Sequence, residues 1–186
     1  LAAIGVALAE GIDIANIQAA LADFSNVPGR FERVEIDKPF SVIVDYAHTP
    51  DGLENVLRTA KQFVTGRLIA VFGCGGDRDR TKRPIMGELA ARYADRVIVT
   101  SDNPRSEEPE FIIGQIMAGI TTAEAQRRTE TIADRRLAIQ RAMEIAAAGD
   151  VILVAGKGHE NYQILADRTI HFDDREVVQE LAGGTS

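Results

Sequence analysis

From Phe31 onward, short apolar runs alternate with longer stretches at helical spacing, and few folds accommodate that alternation. The runs are continuous rather than two-periodic, as Val151–Ala155 shows, so both faces of each strand must be covered. Strand–helix–strand repetition with doubly covered strands dictates a mostly parallel α/β sheet with helices on both faces, a Rossmann-like arrangement. Strands are expected at Phe31–Ile36 and Phe40–Asp45, closing as a hairpin around Asp37-Lys38-Pro39, then at Arg67–Phe72, Arg96–Thr100, Thr129–Ala133 and Val151–Ala155. Helices are expected at Pro50–Phe63, with Thr49 as N-cap, and at Arg83–Tyr93 and Glu108–Gly119. Asp134 should cap a helix running to Ala148 and ended by Gly149; a polar hairpin, Tyr162–Phe172, and a helix at Asp174–Leu181 complete the unit.

Residues 1–30 have a different texture. Ile4, Leu8 and Ile12, then Ile14, Ile17 and Leu21, recur at helical spacing, with Gly11 and Asp13 as the cap residues between two short helices. Two such helices cannot build a core, so they read as the helical tail of another domain, with Val27-Pro28-Gly29-Arg30-Phe31 as the boundary to a domain at 31–186. A chain starting at Leu1 inside a helical pattern is expected to be a piece of something longer.

With 28 acidic against 21 basic residues the formal charge is −7, which argues against a nucleic-acid partner held by bulk electrostatics. No apolar run approaches the ~20 residues of a membrane span, and a single cysteine, Cys74, rules out an internal disulfide. A cytoplasmic location is the expectation.

In an open α/β sheet, ligands bind beyond the carboxyl ends of the strands. Four loops emerge there, and all carry charge. Asp102-Asn103-Pro104-Arg105 combines a stiff Asn-Pro turn with an arginine fork suited to a carboxylate or phosphate; an ordinary turn with a solvated arginine is the plainer reading. Asp45-Tyr46-Ala47-His48-Thr49-Pro50 could hold a nucleotide ribose or a metal-bound phosphate, or could be a helix cap beside a packed histidine. The stretch Gly73–Arg83 is neither a dinucleotide fingerprint nor a P-loop, yet three glycines and a surplus of charge point to a binding loop, with Cys74 as a small filler rather than a nucleophile. Gly156-Lys157-Gly158-His159-Glu160 suits an anionic or zwitterionic small molecule; it lacks the second histidine of a zinc-protease motif, and His171 reads as structural. Arg83, Asp102, Arg105 and Glu160 together would offer both signs of charge, as an amino acid requires.

With these motifs in order, and with Pro28-Gly29-Arg30-Phe31-Glu32 before them, nearly the whole sequence resembles the C-terminal part of a Mur ligase, in the branch that adds diaminopimelate. The resemblance implies that residues 1–30 end a central ATPase domain and that the remainder is a Rossmann-like C-terminal domain. It implies that ATP, with Mg2+, activates a D-glutamate carboxylate as an acyl phosphate, which the incoming amine attacks. It assigns nucleotide contacts to Arg30 and Asp45, with His48 close by, and diaminopimelate contacts to Arg83, Asp102, Asn103, Pro104, Arg105, Gly156 and Glu160. The partners so implied are meso-diaminopimelate and, through other domains, a UDP-N-acetylmuramoyl dipeptide. Neither a Gly-Lys-Thr P-loop nor the family's carbamylated lysine is matched, so no residue here is expected to be catalytic, to ligate a metal, or to retain ATP or Mg2+ without the rest of the enzyme. An arginine at position 105 favours diaminopimelate, whose far end bears a carboxylate, over lysine, whose far end is a bare ammonium. The lysine-adding branch, folylpolyglutamate synthetase and a non-catalytic nucleotide- or amino-acid-binding module are the alternatives.

Overall fold

A computed structural model describes residues 2–23 and 27–183. The expected helical position of Leu1, part of the 1–30 segment and the last three residues of the expected 31–186 domain lie outside the described residues. In chain order the elements are α1 (Ala2–Ala9), α2 (Ile14–Ala22), β1 (Glu32–Val34), β2 (Ser41–Asp45), α3 (Pro50–Lys61), β3 (Leu68–Phe72), α4 (Lys82–Tyr93) and β4 (Arg96–Val99). There follow α5 (Pro109–Met117), α6 (Ala123–Arg127), β5 (Thr129–Thr131), α7 (Arg135–Ile145), β6 (Val151–Ala155), β7 (Tyr162–Ile164), β8 (Thr169–His171) and α8 (Asp174–Leu181).

The sheet has the order β1-β2-β6-β3-β4-β5, with β1 antiparallel to β2 and every other pairing parallel. The mostly parallel α/β architecture read from the sequence is therefore the one observed. Side chains alternate across the sheet as the pleat requires. Leu68, Ala70, Phe72 and Leu153 pack under α3, α4 and α5 with Leu53, Leu57, Met86 and Ile116. Ile69, Val71, Ile152 and Val154 pack under α7 and α8 with Ala138, Ile139, Ala142 and Val178. Both β3 and β6 are buried at all five positions, which is why they read as unbroken apolar runs.

Local chemistry sets several boundaries. Thr49 Oγ1 accepts from the Gly52 N–H with Pro50 opening α3, and Asp134 Oδ1 accepts from the Leu137 N–H at the start of α7. Helix α7 ends at Ile145, short of the expected Ala148. The reason lies 78 residues away in sequence: Arg67 Nη2 donates to the Ile145 carbonyl, while Asp150 Oδ2 accepts from the Ala147 N–H and pairs with Arg67 at 2.7 Å. These contacts pull the chain out of the helix before Gly149 turns it onto β6. The five-residue α6 was not expected; it has no apolar stripe, and rests on Thr122, whose Oγ1 accepts from the Ala125 N–H.

Helices α1 and α2 are joined at Gly11, which takes φ +77, and Asp13 caps α2. Val6, Leu8, Ile12, Ile14 and Leu21 are all exposed. The hairpin β7–β8 lies outside the main sheet and reaches the strand ends, where the Gln163 amide donates to the Asp102 carbonyl at 2.7 Å.

Candidate active site

The loops after β2, β3, β4 and β6 converge on one cleft of about 650 Å³ at the carboxyl edge of the sheet. Its walls include His48 and Tyr46 at one end and Asp102, Asn103, Arg105 and Glu160 at the other. His48, expected beside a nucleotide, thus lines the same space as Asp102, Asn103, Arg105, Gly156 and Glu160, expected to touch an amino acid.

Arg105 adopts φ +54, a left-handed conformation that is costly for a non-glycine residue and is kept only where its surroundings enforce it. The enforcement is visible. Pro104 stiffens the turn, the Arg105 N–H donates to the Ile164 carbonyl, and Nη1 donates to the carbonyls of Gly76 and Asn103 at 2.9 and 3.3 Å. Gly76 passes so close that a Cβ there would lie 1.8 Å from the Pro104 oxygen. Among the described residues, no carboxylate pairs with Arg105, and its Nε and Nη2 meet no acceptor. A half-buried guanidinium held by carbonyls alone keeps its full charge and its Nε and Nη2 donors available to an anion.

Negative charge sits on the facing wall. Glu160 Oε2 accepts from Asn103 Nδ2 at 2.9 Å and pairs with Lys157 Nζ at 3.2 Å, leaving Oε1 without a donor. Lys157 has no exposure at all; its ammonium also donates to Asn103 Oδ1 and lies 5.4 Å from the Tyr162 ring centroid. Asn103 Oδ1 takes a further bond from the Ile164 N–H, so the amide is locked in one orientation. Asp102 Oδ1 accepts from the Asn103 N–H, leaving Oδ2 open beside Gly156, which takes φ +119.

Arg83 lies beneath this cleft rather than on its wall. It is fully buried, and its fork donates to Glu107, Gln115 Oε1 and the Gly75 carbonyl. Glu107 in turn accepts from the Asp77 N–H, while Asp77 accepts from the Ser106 N–H and hydroxyl, so the glycine-rich loop and the Asp102–Arg105 loop are latched to each other. The Arg83 fork, helped by the Asp77 N–H, brings the Glu107 carboxyl down to about 2. A carboxylate with a lowered pKa contributes stability above its unfolded value and loses it as pH falls through the folded one. Carbon-detected NMR titration is accordingly expected to place the Glu107 midpoint near 2, and the latch should weaken as pH drops from about 4.5 towards it; a midpoint at the ordinary glutamate value would contradict the latch.

At the other end, Asp45 is buried and accepts from the Phe31 and Ala47 N–H groups, both at 2.7 Å, tying the 27–31 turn to the end of β2. Arg30 is exposed, with its guanidinium 4.8 Å from the Tyr46 ring centroid, and Tyr46 also packs against His48 and His159. His48 Nδ1 lies 2.9 Å from the Tyr46 carbonyl, which can only accept, so that nitrogen carries the proton. Cys74 is buried against Met86, and burial pushes its thiol up to about 12, fitting the filler role. Alkylation by iodoacetamide at pH 7 is expected only on unfolding; rapid labelling of the native chain would contradict the packing. Among the described residues, no cluster of three or more histidine, cysteine or carboxylate side chains has metal-binding geometry, and no helix is long and apolar enough to cross a membrane.

The structure brings together His48, Asp102, Asn103, Arg105, Gly156 and Glu160, sets Arg83 and Asp45 behind them, and puts Arg30 on the Tyr46 ring. Sequence reasoning placed Lys157 and Tyr46 in binding loops without a separate role for either, and did not single out Glu107. Lys157 left a signal, a cation between two glycines just past a buried strand; Glu107 left none.

The family model described as "Mur ligase, glutamate ligase domain" matches residues 29–158. This chain belongs to the Mur ligase family. It is 58% identical over 184 residues to the UDP-N-acetylmuramoyl-L-alanyl-D-glutamate–2,6-diaminopimelate ligase of Syntrophomonas wolfei, and 56% identical to that of Clostridium botulinum. Those alignments cover 99% and 97% of this chain but only 37% of each relative. A solved structure of a diaminopimelate ligase superposes with a TM-score of 0.79 at 44% identity, over 96% of this chain and 36% of that one. The bifunctional folylpolyglutamate synthase/dihydrofolate synthase of Yersinia pestis, at 23% identity, 79% coverage of this chain and 32% of its own, shares the fold with a TM-score of 0.60.

Proposed function

We propose that this Mur ligase chain is the amino-acid-holding C-terminal part of an ATP-dependent ligase that adds meso-diaminopimelate to UDP-N-acetylmuramoyl-L-Ala-D-Glu in peptidoglycan synthesis. One observation carries the reading: Arg105, which pairs with no carboxylate among the described residues, shares a cleft with the open carboxylate oxygens of Asp102 and Glu160. Diaminopimelate bears an ammonium and a carboxylate at each end, so one end matches this set. Arg105 would take the carboxylate through its free donors; Glu160 and Asp102 would take the ammonium, with Asn103 and Gly156 shaping the gap and Pro104 fixing the turn. Arg83 would act from below, through Glu107.

On this reading residues 1–30 end the preceding domain, which the exposed apolar face of α1 and α2 and the family match starting at residue 29 support. ATP would sit across the other end of the cleft. Asp45 retains lone pairs for ribose hydroxyls, the Arg30–Tyr46 stack offers a flat cationic surface, and His48 presents Nε2. The nucleotide with its Mg2+ supplies activation of the acceptor carboxylate; this chain's residues orient the amine that attacks it. The protein would work in the cytoplasm, with the UDP-linked dipeptide held by the remaining domains.

Isothermal titration of the chain with meso-diaminopimelate and with lysine tests the assignment. Tighter binding of diaminopimelate is expected, and equal or tighter binding of lysine would overturn it.

A further inference from the structure

Under the cleft, on the opposite face of the sheet from Arg83, lies a second buried arginine. Arg135, the first residue of α7, has no exposure, and neither does its partner Asp174, the first residue of α8. Nε and Nη2 donate to the two oxygens of Asp174, both at 2.8 Å. The remaining bonds leave the pair: Nη1 donates to the Ser101 carbonyl and Nη2 to the Ala155 carbonyl, each at 3.1 Å. Ser101 immediately precedes Asp102, and Ala155 immediately precedes Gly156. Strands β4 and β6 are not neighbours, because β3 runs between them, so no ladder hydrogen bond links these two strand ends directly. One guanidinium therefore joins the roots of both walls of the cleft.

We propose that Arg135 and Asp174 are positioning residues for the amino-acid cleft, a strut that sets the separation between the Asp102–Arg105 wall and the Gly156–Glu160 wall. Wholly buried ion pairs are poor sources of stability, since desolvating both charges offsets most of their attraction. An apolar pair of similar volume is often tolerated without loss of stability. What an apolar pair cannot do is hold two carbonyl groups on different strands at fixed positions. The contacts that cross the cleft, Asn103 to Glu160 and Lys157 to Asn103, need those roots in register.

The inference rests on the amino-acid reading of the cleft, and the test separates the two. In the full-length ligase carrying this domain, Arg135→Met combined with Asp174→Leu is expected to raise KM for diaminopimelate about tenfold or more, since misplacement by about 1 Å can cost a hundredfold. KM for ATP should hold, while the melting temperature falls modestly because the Ser101 and Ala155 carbonyls lose a donor. A purely structural pair would lower the melting temperature and the active fraction while leaving KM for the amino acid unchanged, and that result overturns the proposal. Should the double variant not fold, Arg135→Lys decides: it keeps the charge but offers three donors on one nitrogen in place of four bonds from three spaced nitrogens, so an unchanged KM overturns the strut. Arg105→Ala serves as the control. If it leaves KM for diaminopimelate unmoved, the cleft reading itself fails; if it raises KM while the Arg135 variants do not, only the strut fails.

Discussion

Arg105→Ala in the full-length ligase is expected to weaken diaminopimelate binding by about 1.5–3 kcal/mol, the usual cost of a lost charge-assisted hydrogen bond, or roughly 10- to 150-fold in affinity. The expectation follows from what Arg105 does without ligand. It pairs with no carboxylate among the described residues and donates through Nη1 alone, to two backbone carbonyls. Truncation therefore orphans no protein anion, and the loss falls on the ligand. Removing the side chain also relieves no strain, because alanine dislikes φ +54 as much as arginine does. Steady-state KM for diaminopimelate, with KM for ATP measured in parallel, is the check. An unchanged value for the amino acid would remove the residue from the binding set.

The second large effect is on stability. Asp174→Ala strands the Arg135 charge where no water reaches it, and breaking a buried pair from one side costs about 3–5 kcal/mol. For a chain of this size that corresponds to a drop in melting temperature of roughly 6–20 °C. Thermal unfolding followed by circular dichroism reads it directly. A shift of only a degree or two would mean that Arg135 finds water or another anion, contrary to its complete burial.

The strands were legible in the sequence because parallel strands covered on both faces must be apolar at every position, and Leu68–Phe72 and Val151–Ala155 are. Caps with a local mechanism were legible too, as at Thr49 and Asp134. What escaped was set by distant partners. The early end of α7 depends on Arg67, and the five residues of α6 are too few to show an apolar stripe; the helix starts at the Thr122 cap and is backed by Arg128, which donates to the Ala91 and Ala94 carbonyls. The two arginines beside glycine-rich loops illustrate the same limit at the site. Arg83 and Arg105 are chemically alike, yet Glu107, 24 residues from Arg83 in sequence, draws one below the cleft and leaves the other on its wall. Arg135 looked like any cation near a helix start until folding brought Asp174, 39 residues on, against it.

The position of β6 bears on how such a chain is made. It is the last strand of the main sheet to be synthesised, yet it is inserted between β2 and β3, which have no other parallel link to each other. Without Val151–Ala155 the strand pairings divide into β1–β2 and β3–β4–β5, and the apolar edges of β2 and β3 that face β6 have no partner. A chain cut short before that strand is expected to aggregate through those edges, and the same strand whose carboxyl end begins a wall of the cleft is the one that closes the sheet.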